Sequence, residues 1–154
     1  MGEEDVSQFV ENILIILSNL PPGLRLPIIR KRLDEFNNFD YYGQKEIINN
    51  ILNNYHKIER SAILNLFDSW LNSLSEMESS SIVSIFTSYL LELCLNSDIL
   101  KKFDPYFISS LVSHLNKLPE NKRSVLWNCF MESILNTPDP SDFIKLIPVS
   151  LKDE

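Results

Sequence analysis

Glycine is nearly missing from this chain: Gly2, Gly23 and Gly43 are all it has in 154 residues. All-β folds need more glycines than that for their turns, so the scarcity argues against a sheet protein. Alanine is scarcer still, with Ala62 standing alone. Any helices here are therefore not held by intrinsic propensity, and the packing of apolar faces must hold them. Cysteine occurs twice, as Cys94 and Cys129, both within apolar helical patterns. Two thiols in a chain of this size point to a reducing compartment and to buried, inert side chains, not to a disulfide framework.

Long hydrophobic runs are lacking too. The most apolar stretch, Ile13 to Leu17, is far too short to span a bilayer. No Asn is followed at the second position by Ser or Thr, so the sequence holds no N-glycosylation acceptor. Met1-Gly2 resembles a myristoylation start, but Val6 stands where Ser or Thr is required. Lys152-Asp153-Glu154 lacks the final Leu of an ER-retention signal. The expectation is a cytoplasmic, intracellular protein with no membrane partner.

What is present suits a globular fold. Apolar residues make up 44% of the chain and charged residues 23%, which excludes disorder as a description of the whole. The net charge of −7 makes this an acidic protein, and a surface of that sign repels phosphate backbones. Nucleic acid is accordingly a disfavoured partner.

The apolar residues recur with helical spacing. Val6, Phe9, Val10, Ile13, Leu14, Leu17 and Leu20 form one stripe, closed by Pro21-Pro22-Gly23. Leu26, Ile29, Leu33 and Phe36 form a second, over a helix from about Leu24, with Pro27 tolerable in its first turn. After the loop Asn37-Asn38-Phe39-Asp40, a third helix from Tyr42 to Asn54 turns Ile47, Ile48, Ile51, Leu52 and Tyr55 inward. The fourth stripe is Ile58, Ala62, Ile63, Leu66, Phe67, Trp70, Leu71 and Leu74, with Asn65, Asp68, Ser69 and Asn72 opposite. Ser75-Glu76-Met77-Glu78 reads as a capping box with Ser75 as N-cap. The helix that follows, to Leu95, is apolar nearly all round and is expected at the centre of the fold. Asp104-Pro105, Leu118-Pro119-Glu120 and Asp139-Pro140 start three more helices, the first two spanning Tyr106–Lys117 and the stretch to Asn136. The fold class is thus all-α, with about seven to eight antiparallel amphipathic helices in one domain over 1–148 and a C-terminal tail at 149–154.

A weak internal repeat runs through this pattern. Arg60 to Phe67 matches Arg123 to Phe130 in register, and Leu20-Pro21 before Arg25 echoes Leu118-Pro119 before Arg123. Pairing consecutive helices gives four hairpins whose starts lie about 35 to 40 residues apart, which resembles the HEAT and armadillo class of helical repeat proteins. That resemblance implies an α-solenoid; a multi-helix bundle is the alternative.

Catalytic patterns are hard to find. Neither His56 nor His114 stands in a metal-ligand spacing, and there is no phosphate-binding glycine loop or nucleophile elbow. The paired carboxylates Glu3-Glu4, Asp34-Glu35 and Glu76/Glu78 fall at termini and helix ends, where solvated charge is the default. No enzyme activity, metal or cofactor is expected. Arg25, Arg30, Lys31 and Arg32 form the one basic cluster, expected as rim cover for the core or as a docking patch for an acidic segment of another protein. Trp127, at the margin of its helix's apolar arc, is the second candidate contact. The expected function is a non-catalytic protein-interaction or scaffolding module, with a self-assembling helical oligomer as the alternative and, less favoured, a nucleic-acid adaptor through the basic cluster.

Overall fold

The computed structural model describes residues 3–54, 58–95, 110 and 113–137, with the side chains of 3–9, 93 and 94 excepted. Every regular element among them is α-helical. Six helices are defined: α1 (Glu3–Asn19), α2 (Pro22–Asn38), α3 (Tyr41–Asn54), α4 (Arg60–Ser75), α5 (Ser79–Leu95) and α6 (Glu120–Leu135). Residues 113–116 add a further helical turn before α6. No described helix is long and apolar enough to cross a membrane. The helix starts expected at Asp104-Pro105 and Asp139-Pro140, and the tail from 149, lie outside the described residues.

The helices are evenly spaced. α2, α3, α4 and α5 begin at residues 22, 41, 60 and 79, a constant step of 19. At each start the carbonyl just ahead of the helix receives the first backbone bond. Pro21, Asp40, Glu59 and Glu78 accept from the N–H groups of Arg25, Gln44, Ile63 and Ile82, each at 3.0 Å. Pro119 accepts likewise from Arg123 at the head of α6, at 2.9 Å. Arg25 and Arg123 therefore hold the same helix position, as their Leu-Pro corners suggested. Arg60 instead opens α4, so its sequence match to Arg123 does not hold as a match of helix position.

Two local expectations are corrected. Ser75 ends α4, its hydroxyl donating back to the Asn72 carbonyl at 2.7 Å, and it does not cap α5. α5 starts only at Ser79, so Glu78 stands at its N-cap position and not three residues inside the helix as the box requires. Pro27 lies inside α2, beyond its first turn, because the helix already starts at Pro22. Its missing N–H is tolerated on an exposed face, where water can reach the freed carbonyl.

From α1 to α5 it is alternate helices, not consecutive ones, that lie side by side, whereas α6 packs most extensively on α5. α1 packs on α3 and α3 on α5, while α2 packs on α4 and α4 on α6. Contacts of α1 with α4, α2 with α5 and α5 with α6 join these two files. The hairpin pairing expected for α1 with α2 and for α3 with α4 is not the packing observed. With joints of two to five residues, consecutive helices turn corners and leave their flanks to the next helix but one. α5 is central, as its all-round apolar character requires, burying Ile82, Ile85, Phe86 and Leu90. α4 is buried on its polar side as well, at Ser69 and Ser73.

Aromatic rings tie the helices together. Phe36 on α2 meets Tyr89 on α5 at a centroid distance of 6.0 Å, and Tyr89 meets Trp70 on α4 at 5.3 Å. Trp70 meets Phe86 at 5.8 Å, Phe86 meets Phe130 on α6 at 5.5 Å, and Phe130 meets Trp127 at 6.0 Å. Most of these pairs are edge-to-face or tilted, the geometry that ring quadrupoles favour. Burial pushes the Tyr89 phenol above its ordinary pKa.

Candidate functional site

The corners between helices absorb one of the residues expected at a binding surface. Arg25 is only 4% exposed. Its Nη1 donates to the carbonyl of Leu20 at 2.8 Å and reaches that of Ser18 at 3.5 Å, while its Nε donates to Ser69 Oγ at 2.7 Å. The guanidinium thus satisfies carbonyls left open where α1 ends and bolts that corner to α4. Gln44 does the same one step later. Its Nε2 donates to the carbonyls of Phe36 and Phe39 at 2.9 and 3.3 Å, and its Oε1 accepts from Ser88 on α5 at 2.8 Å. Arg123 repeats the backward reach, with Nη1 at 3.3 Å from the Asn116 carbonyl. Arg25 therefore leaves the basic docking patch: it faces inward because the corner beneath it has carbonyls to satisfy.

The rest of the basic cluster is exposed, and two of its three cations are paired. Arg30 forms an ion pair with Glu76 at the α4–α5 joint. Arg32 pairs with Glu35 one turn along α2 at 2.7 Å. Lys31 makes no ion pair among the described residues. Trp127 is half-buried against Phe130, on α6 and far along the chain from these cations. The structure does not bring the two candidate contacts into one site.

A different surface emerges at the α2–α3 corner. Phe39, Tyr41 and Tyr42 are 48%, 49% and 78% exposed, three large rings within four residues. Phe39 terminates α2, its extended backbone returning an N–H to the Phe36 carbonyl at 3.1 Å. Asp40 caps α3, its Oδ1 accepting from the Gly43 N–H at 2.8 Å. Gly43 suits this closeness: a Cβ there would lie a tight 3.3 Å from both Asp40 Oδ1 and Phe39 Cβ. Tyr41 and Tyr42 stand edge to face with centroids 5.7 Å apart. Gln44 braces the corner from below, so the rings are presented by a fixed turn.

The sequence held a signal for this surface. Tyr42 shares its helical face with Glu46 and Asn53, a polar face on which a large ring has no core to join. Phe39 sits in a stretch of Asn and Asp that reads as a loop. Neither observation by itself separates an exposed ring from one folded under a neighbouring helix.

Reactive groups elsewhere are modestly placed. His114 Nδ1 lies 3.9 Å from Asp68 Oδ1, linking the stretch before α6 to α4. Cys129 is buried on α6, its Sγ donating to the Ser79 carbonyl at 3.8 Å. Burial pushes its thiol pKa up, opposed by the Ser79 contact and assisted by the charge of Glu132. Among the described residues, no three His, Cys, Asp or Glu side chains are grouped to hold a metal ion. His56 and the Cys94 side chain lie outside the described residues. Comparison with family models, with curated proteins and with solved structures yields no match.

Proposed function

We propose that this chain is a non-catalytic protein-binding module that docks its partner on the α2–α3 corner. The observation that carries the reading is the exposure of Phe39, Tyr41 and Tyr42 together on a braced turn. Tyrosine and phenylalanine are enriched at protein interfaces because a rigid ring offers much contact area at low entropic cost. Single exposed apolar residues are ordinary, but contiguous rings are what a monomer's surface usually avoids. The constant helix step supports a helical-repeat scaffold in this reading, although consecutive helices from α1 to α5 do not pack as hairpins. The basic residues Arg30, Lys31 and Arg32 stand outside this docking surface, and Arg30 and Arg32 already have carboxylate partners.

A photo-crosslinking residue in place of Tyr42 tests the proposal in extract of the cell that makes the protein. The expected result is a discrete adduct with a second protein, absent when the same residue replaces Asn65 on exposed α4 surface. Phe39→Ala with Tyr41→Ala should abolish that adduct while leaving the melting temperature unchanged. Identical adducts from both positions, or none from position 42, overturn the reading. An adduct of twice the chain's own mass would replace it with self-assembly.

A further inference from the structure

We infer that the segment docking on this corner is basic, with Arg or Lys side chains laid over the rings of Phe39, Tyr41 and Tyr42 and paired to the carboxylates around them. The inference rests on the proposed function and names the chemistry of its partner. Residues 34–46 hold the carboxylates Asp34, Asp40 and Glu46 against the ammonium of Lys45, Glu35 being already paired with Arg32. Asp34, Asp40 and Glu46 are exposed, whereas Lys45 is half-buried. Glu46 follows Tyr42 by one helical turn, and residues so spaced lie about 5–6 Å apart at Cβ. Asp34 lies on α2 five residues before Phe39, with its side chain exposed.

An exposed ring face attracts a cation through its quadrupole, and a nearby carboxylate gives that cation a second partner. An acidic segment would meet the opposite, like charge at Asp40 and Glu46 on either side of the tyrosines. The chain's net charge of −7 acts in the same sense at long range, steering basic partners inward. Aromatic contact and local charge thus select the same partner chemistry.

Random peptides displayed on phage provide the test, selected on the full chain and counter-selected on a Phe39→Ala, Tyr42→Ala variant that circular dichroism shows to be folded. The expected survivors carry Arg or Lys next to an apolar residue. For one survivor made as a labelled peptide, Asp34→Asn with Glu46→Gln should raise Kd about tenfold. Its association rate on the unmodified chain should fall as salt rises. Neutral or acidic survivors, or a Kd indifferent to the two carboxylates, overturn the basic-partner inference and leave the corner as a docking surface. Peptides that bind the variant equally well, or no survivors at all, overturn the inference and the docking surface together. Saturable binding of a DNA or RNA oligonucleotide at the corner overturns the inference as well.

Discussion

Arg25 and Ser69 are joined by a 2.7 Å hydrogen bond between α2 and α4, across 44 residues of chain. Gln44 and Ser88 repeat the link between α3 and α5, again across 44 residues and at 2.8 Å. Each pair sits 19 residues after the one before, the same step that separates the helix starts. At these two corners one polar side chain therefore closes the helix behind it and holds the next helix but one.

Removing such a side chain should cost far more than its surface neighbours do. Arg25→Ala strands the Leu20 carbonyl and Ser69 Oγ in a buried place, and should lower stability by about 2–4 kcal/mol. Arg25→Lys keeps the charge but not the fork, and should recover only part of the loss. Lys31→Ala, on the exposed face, should stay within about 0.5 kcal/mol of the starting chain. Urea unfolding at constant slope measures all three. Equal losses at Arg25 and Lys31 would remove the corner role.

Ser73 offers a change of opposite sign. Its hydroxyl is fully buried on α4 with no hydrogen-bond partner among the described residues. Ser73→Ala deletes an unpaired polar group and improves helix propensity, so stability should rise by about 1 kcal/mol. A loss in urea unfolding would mean that the hydroxyl has a partner.

Within the core, burial and not ring size should set the cost. Ile82 is fully buried on α5, whereas Phe67 is half-buried and stacks on Trp70 at 6.3 Å. Ile82→Ala should cost about 2–5 kcal/mol. Phe67→Ala should fall below the range of about 3–5 kcal/mol typical of a fully enclosed ring. A larger loss at Phe67 than at Ile82 would place that ring deeper than its exposure indicates.

Stability should fall steeply in alkali, partly through Tyr89. Its phenol pKa is raised by burial in the fold, while the unfolded chain keeps the ordinary value of about 10. Below that pH both states hold the proton and the group adds no pH dependence. Above it the unfolded chain releases the proton and the folded chain does not, so unfolding is favoured as pH rises. Thermal melts from pH 9 to 11 should show a steeper loss for the starting chain than for Tyr89→Phe. Cys129 contributes in the same direction in both, so parallel curves would exclude the Tyr89 effect.

Helix class and most of the apolar stripes were legible in the sequence because both arise from a local period. Ile29, Leu33 and Phe36 on α2, Ile48 and Leu52 on α3, and Leu71 and Leu74 on α4 are buried as their spacing implies. The central place of α5 was legible for the same reason: a helix without a polar face has no side to give to water. Tertiary structure alone decided which polar residues go inside and which rings stay out. Arg25, Gln44 and Ser69 are buried because each finds a partner on a helix a corner or a full two-helix step away. Tyr42, in the first turn of α3 on the polar side it shares with Glu46 and Asn53, stays exposed. The sequence states what each residue can satisfy, but the helix that stands opposite is a property of the packed chain, and that neighbour decides between a clamp and a contact surface.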